Sequence, residues 1–225
     1  MLWIRLEGGA GMETRVYILR HGQTPANVEG RFAGRTPEPL TPEGERQARK
    51  AGEYLKGGDI CRIYISPLHR TRRTAELMAE ILKNPEMVEE PGFLEIDIPP
   101  WEGRFKYELR KDPGMRYEVW SRTPHRFYLS GCETLPEAYG RSVRAMEELF
   151  HRETGRSVVV VTHMVVVRVL LVHYLDLPLS AYREIPVPNA LPILFRRRDL
   201  TVTIEVPFGE GKDTQKMRDF LAKVK

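Results

Sequence analysis

Apolar residues fall into two patterns along this chain: short unbroken runs, and longer stretches in which they recur every three or four positions. Val16-Tyr17-Ile18-Leu19 is a run of the first kind and stops at Arg20-His21-Gly22, which predicts a strand buried on both faces that enters a tight loop. After a polar loop, Thr41-Pro42-Glu43 supplies an N-cap, a proline at the first helical position and an acid in the first turn. A helix to about residue 55 follows from those signals. A second unit repeats the order: a strand over 60–65, a loop through Ser66-Pro67-Leu68-His69-Arg70, and a helix over 71–83 with Ala75, Met78, Ala79 and Leu82 on its apolar face. Val143, Ala145, Met146, Leu149 and Phe150 place a helix over 140–154. The most apolar strand, 157–161, ends at Thr162-His163, and 165–175 is apolar nearly all round, which predicts a buried helix. Short strands over 191–195 and 201–206, joined through 196–199, read as an edge hairpin, and Met217, Phe220, Leu221 and Val224 share one face of a short terminal helix.

Strands alternating with helices predict an α/β fold, a three-layer α/β/α arrangement with a mainly parallel central sheet. In such sheets ligands collect beyond the carboxyl ends of the strands, where His21, Arg70 and His163 fall. A length of 225 residues at 41% hydrophobic content sustains one core. A single domain over 1–225 is therefore expected, with 1–14 as a flexible extension, 99–130 as a lid insertion and 208–225 as a C-terminal tail helix. Met12 stands just before the first strand, and the residues ahead of it lack the long apolar core of a secretory signal. No apolar run approaches the roughly 20 residues that span a bilayer. A cytoplasmic protein without a membrane partner is expected.

Charge and cysteine content narrow the chemistry further. The net charge is +4, but basic residues are interleaved with acidic ones rather than gathered into runs, so no nucleic-acid partner is indicated. Segment 99–130 mixes Trp101, Phe105, Tyr107, Tyr117, Trp120 and Phe127 with Arg104, Lys106, Arg116 and Arg126. Such a mixture can stack bases, and it reads here instead as a lid packed on its own domain. Cys61 and Cys132 are too few for a disulfide framework, and His69, His125, His151 and His173 form no metal-ligand spacing. Neither a metal nor a cofactor is expected. The edge hairpin and the terminal helix offer surfaces for a homodimer.

The stretch Leu19-Arg20-His21-Gly22-Gln23-Thr24, followed by Asn27, carries the strongest chemical signal. It resembles the Arg-His-Gly signature of the histidine phosphatase (phosphoglycerate mutase-like) superfamily. The resemblance continues in order through Leu40-Thr41-Pro42-Glu43-Gly44 with Gln47-Ala48, Ser66-Pro67-Leu68 with Arg70, Thr74-Ala75-Glu76, Leu94-Glu95, Trp101-Glu102-Gly103, Glu133-Thr134 and Thr162-His163, and spans residues 15–195. It implies a phosphatase that hydrolyses small phosphomonoesters through a phosphohistidine on His21. A phosphoryl group in transfer spreads charge over three outer oxygens, so it needs fixed donors around it and a nucleophile in line with the leaving oxygen. Arg20, Arg70 and His163 are the expected donors, and arginine forks match phosphate where lysine does not. Asn27 can add a neutral hydrogen bond, and Gln23, Thr24 and Met164 are further candidates for substrate contact.

By the same resemblance Glu95 is the acid that protonates the leaving alkoxide, with Asp97 and Glu102 as nearby rivals. One position departs from the pattern: most members of the family have glycine after the second histidine, and this chain has Met164. Alternative readings are a cofactor-dependent phosphoglycerate mutase, which keeps and returns the phosphoryl group, and a non-catalytic protein that binds phosphorylated ligands.

Overall fold

The unbroken apolar runs become the inner strands of one sheet. The structure, a computed structural model, describes residues 12–224, so most of the expected extension lies outside the described residues. Its strands are β1 (Thr14–Arg20), β2 (Ile60–Ile65), β3 (Glu86–Glu89), β4 (Ser157–Thr162), β5 (Ile193–Arg198) and β6 (Thr201–Glu205). They lie in the order β3-β2-β4-β1-β5-β6. The first four pair in parallel, whereas β5 and β6 complete the sheet antiparallel. Thr14 already belongs to β1, so the strand begins inside the segment assigned to the extension.

The helices are α1 (Pro25–Glu29), α2 (Pro42–Leu55), α3 (His69–Ala79), α4 (Lys106–Lys111), α5 (Tyr117–Arg122), α6 (Leu135–Arg152), α7 (Met164–Tyr174) and α8 (Lys212–Val224). Alternate residues of the inner strands serve opposite faces, as the two-residue period of a strand requires. Val16, Ile18, Tyr64, Val158 and Val160 pack with α6 and α7, whereas Tyr17, Leu19, Ile63, Ile65, Val159 and Val161 pack with α2 and α3. Helices therefore cover both faces, which is why β4 can be four consecutive valines. Helix α7 buries seven of its eleven side chains and leaves none fully exposed. Among the described residues no helix is long and apolar enough to cross a membrane.

Several boundaries differ from the sequence reading, each for a local reason. Helix α3 begins at His69 rather than Thr71, because the Thr71 hydroxyl donates to the carbonyls of Ser66 and Leu68 and closes the first turn early. Arg70 therefore sits on a helix and not in a loop. Helix α6 begins at Leu135 rather than residue 140: Thr134 and Glu137 exchange side-chain and backbone hydrogen bonds in a capping box. Strand β5 runs through Arg198, and its three arginines pair with Glu13, Glu147 and Glu205. The turn thus narrows to Asp199-Leu200, with Asp199 at φ 53°.

Segment 99–130 is more ordered than its sequence suggests. Short 3-10 turns at Pro99–Trp101, Pro113–Met115 and Pro124–Arg126 alternate with α4 and α5, and each turn opens on a proline. Trp101 is fully buried at the centre of an aromatic cluster, with ring centroids 4.9 Å from Phe127, 5.2 Å from Phe32 and 5.2 Å from Tyr117. Its indole N–H donates to the Met115 carbonyl at 3.0 Å. Most of these rings thus face inward, as a packed insertion requires and a base-stacking surface does not.

Candidate functional site

Strand β1 delivers Arg20 and His21 to its carboxyl end, beside the end of β4. The His21 amide donates to the Thr162 carbonyl at 2.9 Å, and the Asn189 side chain donates to the His21 carbonyl at 2.9 Å. A carbonyl can only accept, so the 2.7 Å contact between His21 Nδ1 and the Gly22 carbonyl fixes the proton on Nδ1 and leaves the Nε2 lone pair free. The ring is 3% exposed. Burial, with Arg70 and Arg20 adding to it, holds the imidazole pKa well below its ordinary value. His21 is neutral across the physiological range.

The loop after β1 turns against the first turn of α2 with no room for side chains. A Cβ on Gly22 would lie 2.4 Å from the Gly44 carbonyl oxygen, and one on Gly44 would lie 2.1 Å from that of Gln23. The Gly22 amide donates to Thr74 Oγ1 at 3.0 Å, and that hydroxyl donates to the Arg70 carbonyl at 2.7 Å. His21 and Arg70 are thereby fixed to each other through one hydroxyl. Gly44→Ala is expected to destabilise the protein by about 1–3 kcal/mol through backbone displacement. Thermal unfolding reads that loss, and an unchanged melting temperature would show the loop to be free to move.

His163 follows β4 as the N-cap of α7 and is fully buried, its ring centroid 5.3 Å from that of His21 at an angle of 60°. Its Nε2 lies 2.8 Å from the Ser66 hydroxyl, and among the described residues its Nδ1 has no partner. Burial lowers its pKa well below the ordinary value, with Arg70, His21 and Arg20 acting in the same direction. Helix α7 carries no side-chain cap, and Met164 and Val165 of its first turn line the same cavity. Free amides and the helix dipole at such an end favour an anion.

Glu95 enters from the loop after β3. The Thr162 hydroxyl donates to the Phe93 carbonyl at 2.8 Å, and Arg141 donates to the carbonyls of Gly92 and Leu94 at 2.9 and 2.7 Å while pairing with Glu133. Glu95 itself is 7% exposed and accepts the Ile96 amide at 3.0 Å. Desolvation raises its pKa above the ordinary carboxylate value, against the opposing pull of that amide and of Arg70, Arg20 and Arg141. The rivals are engaged elsewhere. Asp97 pairs with Arg35 at 3.1 Å, and Glu102 accepts the amides of Arg35 and Thr36 at 2.8 and 3.1 Å together with the Thr36 hydroxyl.

Those acceptances shape Arg70's surroundings. Arg70 is 1% exposed and donates to the carbonyls of Thr36 at 3.1 Å, Ala33 at 3.4 Å and Gly34 at 2.5 Å, while its buried Nε has no partner among the described residues. Glu102 thus holds the loop that holds Arg70. Glu102→Gln turns one of the two accepting oxygens into an NH₂ donor that faces a backbone amide, and a loss of about 1–3 kcal/mol is expected. Weaker binding of orthophosphate should accompany it, read by calorimetry; unaltered binding would separate Glu102 from Arg70.

These groups meet at a cavity of about 100 Å³ lined by Arg20, His21, Thr24, Asn27, Arg70, Glu95 and Met164, with His163 against the His21 ring. Arg20 lines it with a buried, unpartnered Nε, and burial lowers the guanidinium pKa to about 10. Asn27 Oδ1 is engaged by Asn189 at 3.2 Å and by the Thr24 amide at 3.3 Å, which leaves the Asn27 NH₂ group available. Thr24 is the N-cap of α1 and accepts the Asn27 amide through its side chain, so its part is to shape the loop. Gln23 is not brought to this cavity: its amide donates to Gln47 and its Oε1 accepts from Thr41, both at 3.0 Å. It lines instead a separate groove of about 550 Å³ between α2, the 186–191 loop and the start of α8. The cavity also receives Lys106, Tyr117, Trp120 and Arg183, which the sequence reading did not single out as site residues, and Ser66 and Asn189 support it from behind.

Known proteins place this geometry in context. The profile described as Histidine phosphatase superfamily (branch 1) matches residues 16–205. Phosphoserine phosphatase 1 of Hydrogenobacter thermophilus is 31% identical over 176 residues, 78% of this chain and 83% of that protein. A probable phosphoglycerate mutase of Klebsiella pneumoniae is 32% identical over 78% of this chain and 81% of its own length. Among solved structures, YhfR of Bacillus stearothermophilus superposes with a TM-score of 0.83 at 26% identity, over 89% of this chain and 99% of that one. The profile covers β1 through β6 and the sequence relatives span most of their own length, so this chain belongs to the histidine phosphatase superfamily.

Proposed function

We propose that this protein is a metal-independent phosphomonoesterase in which His21 attacks phosphorus and carries the phosphoryl group as phosphohistidine. The observation that carries the reading is the 2.7 Å hydrogen bond from His21 Nδ1 to its neighbour's carbonyl, on a buried, neutral ring flanked by Arg20 and Arg70. It presents Nε2 as a nucleophile that needs no base to activate it. As the Nε2–P bond forms, the bond to the ester oxygen breaks, and protonated Glu95 delivers its proton to the departing alkoxide. In the second half the Glu95 carboxylate takes a proton from water, the water oxygen bonds phosphorus, the N–P bond breaks and neutral His21 returns.

Arg20 and Arg70 surround the phosphoryl oxygens with fixed positive charge, the requirement of a transition state whose charge lies on those oxygens. His163 adds a donor when the Ser66 hydroxyl donates to Nε2, since Nδ1 then bears the proton and has no protein partner. A buried N–H without an acceptor is costly, and a phosphoryl oxygen removes that cost. Asn27 offers its free amide N–H, and segment 99–130 acts as the lid that sets which ester is admitted. Met164 stands at the wall as a side chain where most of the family has glycine, and narrows the approach to the phosphate.

Phosphate release from p-nitrophenyl phosphate in the presence of EDTA tests the reading, because arginines and His163 rather than a cation carry the stabilisation. The likeness to a probable phosphoglycerate mutase supports a second reading, in which the phosphoryl group is returned to the product. Incubation of 3-phosphoglycerate with catalytic 2,3-bisphosphoglycerate separates the two. Release of orthophosphate is the expected result, and isomerisation to 2-phosphoglycerate outpacing that release would overturn hydrolysis as the main activity.

A further inference from the structure

Glu95 stands on a stretch without helix or strand, residues 94–98, so the backbone around it takes its hydrogen bonds from elsewhere. Four consecutive carbonyls, from Gly92 to Glu95, accept from side chains. Arg141 Nη1 donates to Gly92 at 2.9 Å and to Leu94 at 2.7 Å, the Thr162 hydroxyl to Phe93 at 2.8 Å, and Arg35 Nε to Glu95 itself at 3.4 Å. Both arginines converge on Glu133. Its Oε1 accepts Arg141 Nε at 2.5 Å and its Oε2 accepts Arg141 Nη2 at 3.0 Å, a bidentate pairing, while Arg35 Nη2 lies 3.9 Å from Oε2. Glu133 also grips the stretch directly: Oε2 accepts the Asp97 amide at 3.1 Å, and the Glu133 amide donates to the Asp97 carbonyl at 2.8 Å. The backbone on either side of Glu95 is thus held by one carboxylate.

The same carboxylate sets the charge behind the acid. Glu95 faces Arg20 from β1, Arg70 from α3, Arg141 from α6 and Tyr182 from the 3-10 turn Leu179–Glu184. His21, Arg31, Lys106 and Arg183 share its cavity. Arg20 and Arg70 line that cavity, where a phosphoryl group answers their charge. Arg141 does not line it, and among the described residues its one carboxylate partner is Glu133. Arg35 has Asp97 at 3.1 Å besides. The side chains of Glu133 and Arg141 are 14% and 22% exposed, so solvent screens them only in part, and removing one leaves the charge of the other felt at Glu95.

Resting on the reading of Glu95 as the acid, we infer that Glu133 is its positioning residue: through Arg141 and Arg35 it fixes the stretch that carries Glu95, and it screens the Glu95 carboxyl from the Arg141 charge. Glu133 lies outside the cavity lining and acts on the proton donor alone. Its two removals therefore work in opposite senses. Without the Glu133 charge, Arg141 favours the Glu95 carboxylate, and the acid gives up its proton at lower pH. Without Arg141, the charge of Glu133 favours protonated Glu95, which keeps its proton to higher pH.

The test measures kcat/KM against pH for glycerol 1-phosphate and for p-nitrophenyl phosphate, with Glu95→Gln identifying the part of the alkaline decline that belongs to Glu95. In Glu133→Gln that decline should move about one pH unit toward acid, costing about tenfold for glycerol 1-phosphate on the alkaline side and far less for p-nitrophenyl phosphate. Glu133→Asp, which keeps the charge on a shorter arm, should leave the decline near its native position. In Arg141→Gln it should move about one pH unit the other way. Loss of folded protein scales both esters alike and moves no midpoint; if Glu133→Gln yields no folded chain, the direction of the Arg141→Gln shift decides. A Glu95-dependent decline that does not move in these opposite senses overturns the positioning role while the reading of Glu95 as the acid stands. A decline that survives in Glu95→Gln overturns both.

Discussion

Replacing His21 by alanine is expected to lower phosphate release from p-nitrophenyl phosphate by about 10⁴-fold or more, the scale on which removal of a covalent nucleophile acts. No neighbour can take over. His163 is fully buried with Nε2 engaged by Ser66, and nothing in the cavity offers a second unprotonated nitrogen beside Arg20 and Arg70. Two companion measurements identify the role rather than the loss. Brief mixing with radiolabelled ester and quenching in alkali should trap label on the native chain and none on His21→Ala. Added imidazole should restore part of the alanine variant's rate, because the cavity left by the ring accepts the same nucleophile from solution. A labelled alanine variant, or one retaining a tenth of the native rate, would place the nucleophile elsewhere.

Glu95→Gln carries the second large effect, and it depends on the leaving group. With an alkyl phosphate the departing oxygen needs a proton, and kcat/KM should fall by about 10²–10⁴-fold. With p-nitrophenyl phosphate the anion departs unaided, and the loss in that step should be far smaller. The pH dependence has a definite sign. Burial raises the Glu95 pKa above its ordinary value, so the acid stays protonated to higher pH than an ordinary carboxylate; as pH rises through the folded pKa the proton is lost and kcat/KM for alkyl esters declines. His21 is displaced the other way: its folded pKa lies well below the ordinary value, so the unprotonated nucleophile persists as pH falls below neutrality. Activity toward alkyl esters therefore peaks on the acid side, and in Glu95→Gln the alkaline decline should vanish while the acid limb remains. Equal losses with both classes of ester, or an unchanged alkaline limb, would remove Glu95 from the role of acid.

The opposing shifts also leave a mark on stability. An imidazole held neutral in the fold and free to protonate when unfolded gives the unfolded chain the greater proton uptake below about pH 6.5, so His21 and His163 make the protein less stable as pH falls from that point.

What could be read from the sequence followed burial. Strands β1, β2 and β4 lie between two helix layers and so appear as apolar runs, and the buried α7 announces itself by having almost no polar face. Strand β3 is Glu-Met-Val-Glu at an edge, mostly exposed, and is held by parallel pairing to β2 and by the Arg62–Glu86 ion pair. Its order comes from the neighbouring strand, and nothing in four residues records that. The Thr134–Glu137 capping box was legible as a threonine three residues before a glutamate, ahead of the apolar spacing that starts later in α6. The residues brought to the cavity by strand ends stood in motifs, whereas Lys106, Arg183 and Asn189 arrive from segments with no repeating pattern. Only tertiary packing brings Lys106 and Arg183 to the cavity and Asn189 behind it. Asn189 had one faint signal: the chain has only Asn27, Asn84 and Asn189, and the first and last of these touch each other beside His21.

The tether on His21 spans a single peptide, from the ring to the carbonyl of the next residue. Its geometry belongs to β1 and the turn behind it, so swinging α4 and α5 outward would leave the reactive nitrogen oriented as before. On the proposed reading of 99–130 as a lid, substitutions in α4 or α5 should therefore change which ester is admitted and leave the aim of the attacking atom alone.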